Sequence, residues 1–105
     1  MAILHVDKTN FSEEVLKSDR PVLLDFFATW CGPCKMLGKV LEDMDKATQD
    51  YKIVKVDIDE NEKLAQEWGV VSVPSLFIVK EGKVMDSMVG FQPQQVLEKK
   101  LKSIK

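Results

Sequence analysis

The sequence predicts an α/β fold: a mixed central sheet with elements in the order βαβαβαββα and helices on both faces. Three observations carry this. Along the chain, strand-like apolar runs alternate with helix-like apolar spacing, which implies right-handed crossovers and parallel strands. The last two strands are separated only by a short Gly-containing turn, so they must add an antiparallel pair. The stretch from Val22 to Ala28 is apolar except for Asp25, the mark of a central strand covered on both faces.

The elements follow in order. Ile3 to Val6 reads as a short strand. Asn10 followed three residues later by Glu13 is a helix-start pattern, with Phe11, Val15 and Leu16 on one face, and that helix should stop before Pro21. Val22 to Ala28 is the central strand. From Cys34 the apolar positions change to helical spacing at Leu37, Val40, Leu41, Met44 and Ala47, so a helix of about three to four turns comes next. Ile53 to Ile58 is a strand whose two apolar sets leave open whether one or both faces are covered. Asp59 to Glu62 begins a helix that carries Leu64, Ala65 and Trp68 on one stripe, with Gly69 as its stop. Leu76 to Val79 and Val84 to Val89 are strands joined across Glu81 and Gly82. Pro93 suits the first turn of a last helix whose stripe is Leu97, Leu101 and Ile104. There are no internal repeats.

A chain of 105 residues has room for one domain, residues 1–105, and no linker. Its composition, 45% hydrophobic and 30% charged, is that of a globular protein. A domain of this size buries roughly two thirds of the surface its unfolded chain exposes, so the 2 cysteines are not needed as staples. Fifteen basic against seventeen acidic residues give a formal net charge of −2, which argues against nucleic acid as a partner. Lys99, Lys100, Lys102 and Lys105 form the solvated face of a terminal helix, where they also suit the helix dipole. Met1 to Leu4 is apolar for four residues only, whereas a signal peptide needs about 7 to 15. No apolar run approaches the roughly 18 residues of a membrane span. A cytoplasmic location and no membrane partner are expected.

The chemistry centres on Trp30-Cys31-Gly32-Pro33-Cys34, at the junction of the central strand and the long helix, where open α/β sheets place their sites. Two intervening residues let the sulfurs approach bonding distance across one helical turn. Cys31 falls at the helix N-terminus, whose unpaired N–H groups stabilise a thiolate, and Cys34 lies in the first turn, more shielded. An exposed Cys31 thiolate would attack a substrate disulfide, and Cys34 would then resolve the mixed disulfide. Two other uses of the pair compete. Zinc needs four ligands, and the chain offers only His5 and carboxylates besides these thiols. An inert structural disulfide closing so short a loop would constrain the unfolded chain little.

Asp25 is hard to excuse on local grounds: an ionised carboxylate inside a covered strand costs several kcal/mol by typical estimates unless its pKa rises or it is paired. A strand-end position with solvent access is the alternative. Lys55, in a strand of its own, reads equally well as a solvent-facing residue. Pro74, just ahead of an apolar strand, sits where proline is tolerated. Trp68 and the methionines are assigned to packing.

Taken together, the chain resembles the thioredoxin family. The resemblance spans nearly all of it: the order of elements, Asp25, Trp30-Cys31-Gly32-Pro33-Cys34-Lys35, Lys55, Val73-Pro74, Gly82 and Gly90. It implies a thioredoxin fold, and a buried Asp25 that accepts the proton of Cys34 and is modulated by Lys55 across adjacent strands. It also implies a cis Val73-Pro74 bond, beside which the backbone of Val73 could pair with an extended substrate segment. Trp30, Gly32, Pro33, Val73, Pro74, Gly90 and Phe91 would form the substrate-binding rim. The Gly-Pro dipeptide resembles the reducing members rather than oxidases and isomerases, which usually carry a histidine before the second cysteine. The implied activity is reduction of client-protein disulfides, with recharging by an NADPH-dependent thioredoxin reductase, no bound cofactor, no metal, and a monomeric state. A non-catalytic binding module on the same fold is the rival, and the intact cysteine pair counts against it. The chain departs from the family pattern at Phe27 (usually tryptophan), Ser75 (usually threonine), Gly38-Lys39 (usually a kinking proline) and Phe91 (usually small). A straighter long helix and a larger apolar rim are the expected effects.

Overall fold

A computed structural model describes residues 3–48 and 50–104. Met1, Ala2 and Lys105, used above in reading the N-terminal apolar stretch and the lysine-rich end, lie outside the described residues. The elements are β1 (Leu4–His5), a short π-helix (Ser12–Leu16), β2 (Val22–Phe27), α1 (Gly32–Ala47), β3 (Lys52–Asp57), α2 (Glu62–Glu67), β4 (Ser75–Lys80), β5 (Lys83–Val89) and α3 (Gln94–Lys102). No helix among the described residues is long and apolar enough to cross a membrane.

The five strands form one sheet in the order β1-β3-β2-β4-β5, so β2 is its centre. β1 and β2 run parallel to β3, and β4 runs antiparallel to both β2 and β5. This is the expected α/β mixed sheet. Because successive side chains of a strand point to opposite faces, β2 feeds two cores. Val22, Leu24 and Phe26 pack with Phe11, Val15, Leu64 and Ala65 under the π-helix and α2, where Trp68 meets the rings of Phe11, Phe26 and Phe77. Leu23 packs on the other face with Leu37, Leu41 and Met44 of α1 and Leu97 and Leu101 of α3. Asp25, two residues on, points to that same α1 face. Register continues the row: His5 pairs with Lys55, Lys55 with Asp25, and Asp25 with Leu76.

Local chemistry explains the ends. Gly69 stops α2 in the left-handed region at φ 68°. Glu81 and Gly82 both have positive φ, 52° and 77°, the geometry of a two-residue turn that matches the twist of its strands. A register shift at Ile78/Val79 bulges the β4–β5 ladder.

Three local expectations need correction. Asn10 does not cap a helix: its side-chain oxygen accepts the N–H of Asp7 at 2.9 Å, while the N–H of Phe11 returns to the Asp7 carbonyl at 2.9 Å. The side chain is used by the preceding turn, and the helix that follows is a single π-type turn closed by Lys17 N–H on the Ser12 carbonyl, 3.0 Å. Leu16 is consequently turned out of the apolar face and is 37% exposed. Pro93 is the residue before α3, with extended backbone (ψ 156°), rather than part of its first turn. The methionines divide: Met44 and Met88 pack in the core, whereas Met36 and Met85 are exposed.

The turn yields a stability test. A Cβ on Gly82 would meet the Leu16 carbonyl oxygen at 3.3 Å and would sit on a left-handed residue. Gly82→Ala should therefore lower stability by about 1–2 kcal/mol in urea melts, while Glu81→Asn, which suits the same conformation, should hold or slightly raise it. Equal midpoints for Gly82→Ala and wild type would mean that the turn relaxes.

Candidate functional site

The end of β2 delivers the chain directly to the two cysteines. The N–H of Cys31 donates to the Ala28 carbonyl at 3.3 Å, closing a turn that makes Cys31 the cap of α1. Its sulfur accepts the N–H of Cys34 at 3.1 Å, the bond an N-cap side chain makes to one of the helix's orphan donors. Gly32 and Pro33 occupy the first two helical positions, where proline's missing N–H costs nothing. The Cα atoms of Cys31 and Cys34 are 5.2 Å apart and their sulfurs are joined in a disulfide.

The contrast of an exposed first and a shielded second cysteine is not seen in this oxidised form: Cys31 is 5% exposed and Cys34 3%. Both are covered by Ala28, Phe27, Ile58 and Val73. What distinguishes Cys31 is its cap position and its sulfur's place 3.7 Å from the Val73 carbonyl oxygen.

The rim residues come from three separate segments. Trp30 is 67% exposed, and its indole N–H donates to Asp59 Oδ2 at 2.9 Å, which fixes the ring beside the disulfide. The Val73-Pro74 bond is cis, as the resemblance implied. Gly90 N–H donates to the Pro74 carbonyl at 2.8 Å and so ties the Gly90-Phe91 segment to the cis-proline turn. Phe91 is 38% exposed. Gly32 and Pro33 are exposed at the start of α1. Val71, 96% exposed, adds apolar surface two residues before Val73, and no pattern in the neighbouring residues singles it out. Met36, 59% exposed, adds more, and its place off the Leu37, Leu41, Met44 stripe was the available signal.

Asp25 is fully buried, and neither of its carboxylate oxygens has a hydrogen-bond partner. The alternative of a solvated strand end is thereby excluded. Burial pushes its pKa up to about 7, with the Lys55 charge pulling the other way. Lys55 is Asp25's partner in register, yet it forms no ion pair among the described residues. Its ammonium lies 4.4 Å from the centroid of the Phe27 ring, within contact range of α1 at Gly38. His5 meets the same ring edge-on, centroids 5.8 Å apart, and its pKa is lowered by burial first and by Lys55 second. The Phe27 contacts depend on the register of β2 against β3, which neither strand's residues specify alone. Among the described residues no group of His, Cys, Asp and Glu converges as metal ligands.

Comparison with known proteins agrees with this geometry. The family model described as Thioredoxin matches residues 2–103. A thioredoxin of Bacillus subtilis (strain 168) is 46% identical over 99 residues, covering 93% of each chain. One from Rickettsia typhi is 44% identical over 94 residues, covering 89% of this chain and 90% of its own. Among solved structures, a mutant thioredoxin from Halobacterium salinarum NRC-1 superposes with a TM-score of 0.87 at 36% identity, over 98% of this chain and 94% of that one.

Asp25's buried, unpaired state sets a pH signature. The folded protein keeps this proton to about pH 7, whereas the unfolded chain releases it near the ordinary 3.8. Asp25 therefore adds nothing below the lower value, costs stability increasingly as pH rises between the two, and reaches a constant cost above the upper one. Asp25→Asn removes that dependence. The stability difference between variant and wild type in denaturant melts should widen in the variant's favour by about 1.4 kcal/mol for each pH unit between 4 and 7, then stay flat. A difference independent of pH would show Asp25 to be ionised throughout.

Proposed function

This chain belongs to the thioredoxin family and is a protein thiol–disulfide oxidoreductase, and from that premise we propose that it works as a general protein disulfide reductase. The observation that carries the reading is the Cys31–Cys34 pair at the start of α1, with a buried, unpartnered Asp25 on the strand that leads into it. In the reduced protein the Cys31 thiolate, stabilised by the helix N-terminus, attacks one sulfur of a client disulfide. The client S–S bond breaks, one client thiolate leaves, and a mixed disulfide joins Cys31 to the client. Cys34 then gives its proton to the Asp25 carboxylate and attacks the Cys31 sulfur, expelling the second client thiolate. The client gains two electrons, and the protein ends with Cys31 and Cys34 bonded to each other.

Asp25 suits the base role because a pKa of about 7 lets it take and return a proton near neutrality, and Lys55 tunes that value by its charge. Trp30, Gly32, Pro33, Val73, Pro74, Gly90 and Phe91 receive the client, whose extended backbone would pair beside Val73. The thiols themselves carry the electrons, so no bound cofactor is needed; an NADPH-dependent thioredoxin reductase restores the dithiol. The functional unit is one domain, residues 1–105, acting as a cytoplasmic monomer.

Reduction of insulin disulfides with NADPH and a thioredoxin reductase tests the reading, and absence of turnover would sink it. Cys34→Ser should accumulate clients as stable mixed disulfides on Cys31; trapping by Cys31→Ser instead would reverse the two roles. In stopped-flow reduction Asp25→Asn should slow release of the client far more than the first attack, and an unchanged release rate would assign the proton to another acceptor.

A further inference from the structure

Beside the disulfide, away from the apolar rim, lies an open cavity of about 420 Å³ with Cys34 on its wall. Phe27 and Lys55 come to it from the sheet, and Lys35, Lys39 and Glu42 from α1. Three cations thus face one carboxylate, on a protein whose net charge is −2. Lys35, Lys39 and Lys55 form no ion pair among the described residues. Lys55 is held in place with its ammonium 4.4 Å from the centroid of the Phe27 ring.

We propose that this cavity is a subsite for acidic side chains of the client, giving preference to disulfides flanked by Asp or Glu. The inference rests on the disulfide-reductase reading and names the substrate class within it. Charge complementarity selects the occupant: the surface on the other side of Trp30 carries Asp59, bonded to its indole, and then Glu60, so a client carboxylate is repelled there and attracted to the lysines. Reach agrees. The attacked client cysteine bonds to Cys31, and Lys35 and Lys39 lie four and eight residues beyond it on α1, a span of about 6–12 Å along the axis at 1.5 Å per residue. An extended client advances about 3.3 Å per residue, so a carboxylate two to four residues from the attacked cysteine covers that distance. Lys35 and Lys39 are exposed and Lys55 is half-buried, so the attraction of the two exposed lysines is screened by salt and acts on capture of the client rather than on the sulfur chemistry.

The test uses two disulfide peptides identical except for Glu or Gln at the second to fourth positions from the attacked cysteine. The protein is first reduced with dithiothreitol, and second-order rate constants are read by stopped flow. The acidic peptide should react about two- to ten-fold faster at low salt, the advantage shrinking as salt rises. In the double variant Lys35→Gln with Lys39→Gln the ratio of the two rates should fall to about one. Equal rates in the wild type, or a preference that survives the double variant, would overturn the subsite while leaving the reductase reading intact. Failure to reduce either peptide would instead strike at that reading.

Discussion

A carboxylic acid at the centre of the sheet, with no hydrogen-bond partner for either oxygen, is the constraint on which the site depends. Burying an ionised carboxylate is expensive, and proteins escape by pairing it or by keeping its proton. Here pairing is withheld. Lys55 stands next to Asp25 in register, but its ammonium rests on Phe27, close enough to temper the proton affinity and not close enough to abolish it. The strand tolerates this because Leu23, Leu24 and Phe26 around it are fully buried, and each such side chain contributes about 1.5–3 kcal/mol. Stability from two apolar cores is thus set against one buried titratable group that has no hydrogen-bond partner.

The same strand connects that group to the sulfurs. β2 ends at Phe27, and a tight turn through Ala28 places Cys31 as the cap of α1 with no intervening flexible loop. The strand end with its helix terminus, the cis-proline turn and the end of β3 belong to three different parts of the chain. They meet because β4 and β3 flank β2, so the ends of those strands converge on its own. The site is therefore a property of strand order more than of any single motif.

How much of this could be read from the amino acids follows from how local each cause is. The cysteine pair, the Gly82 turn and the apolar run around Asp25 are written in adjacent residues, and each was found where its pattern put it. The ring contact between Phe27 and Lys55 depends on which residue of β3 faces which residue of β2, a register that neither strand specifies alone. Asn10 failed as a helix cap for a different reason. Its side chain had two competing backbone targets a few residues apart, and the turn at Asp7 won. The near-equal burial of the two cysteines reflects cover supplied by Val73 and Ile58, dozens of residues downstream.

The bulged hairpin has a consequence at the opposite border of the sheet. β5 is the last strand and most of its residues are exposed, so one row of its N–H and C=O groups has no strand beyond it. Such an edge is a template on which foreign chains can polymerise. The irregularity at Ile78/Val79 interrupts the ladder of this border, Lys83 brings a charge to its start, and Asp86 farther along is paired with Lys100 of α3 at 2.9 Å. Any strand zipping along β5 would have to desolvate those charges and follow an interrupted ladder. The fold thus discourages strand recruitment along β5, where open-ended, amyloid-like growth would otherwise start.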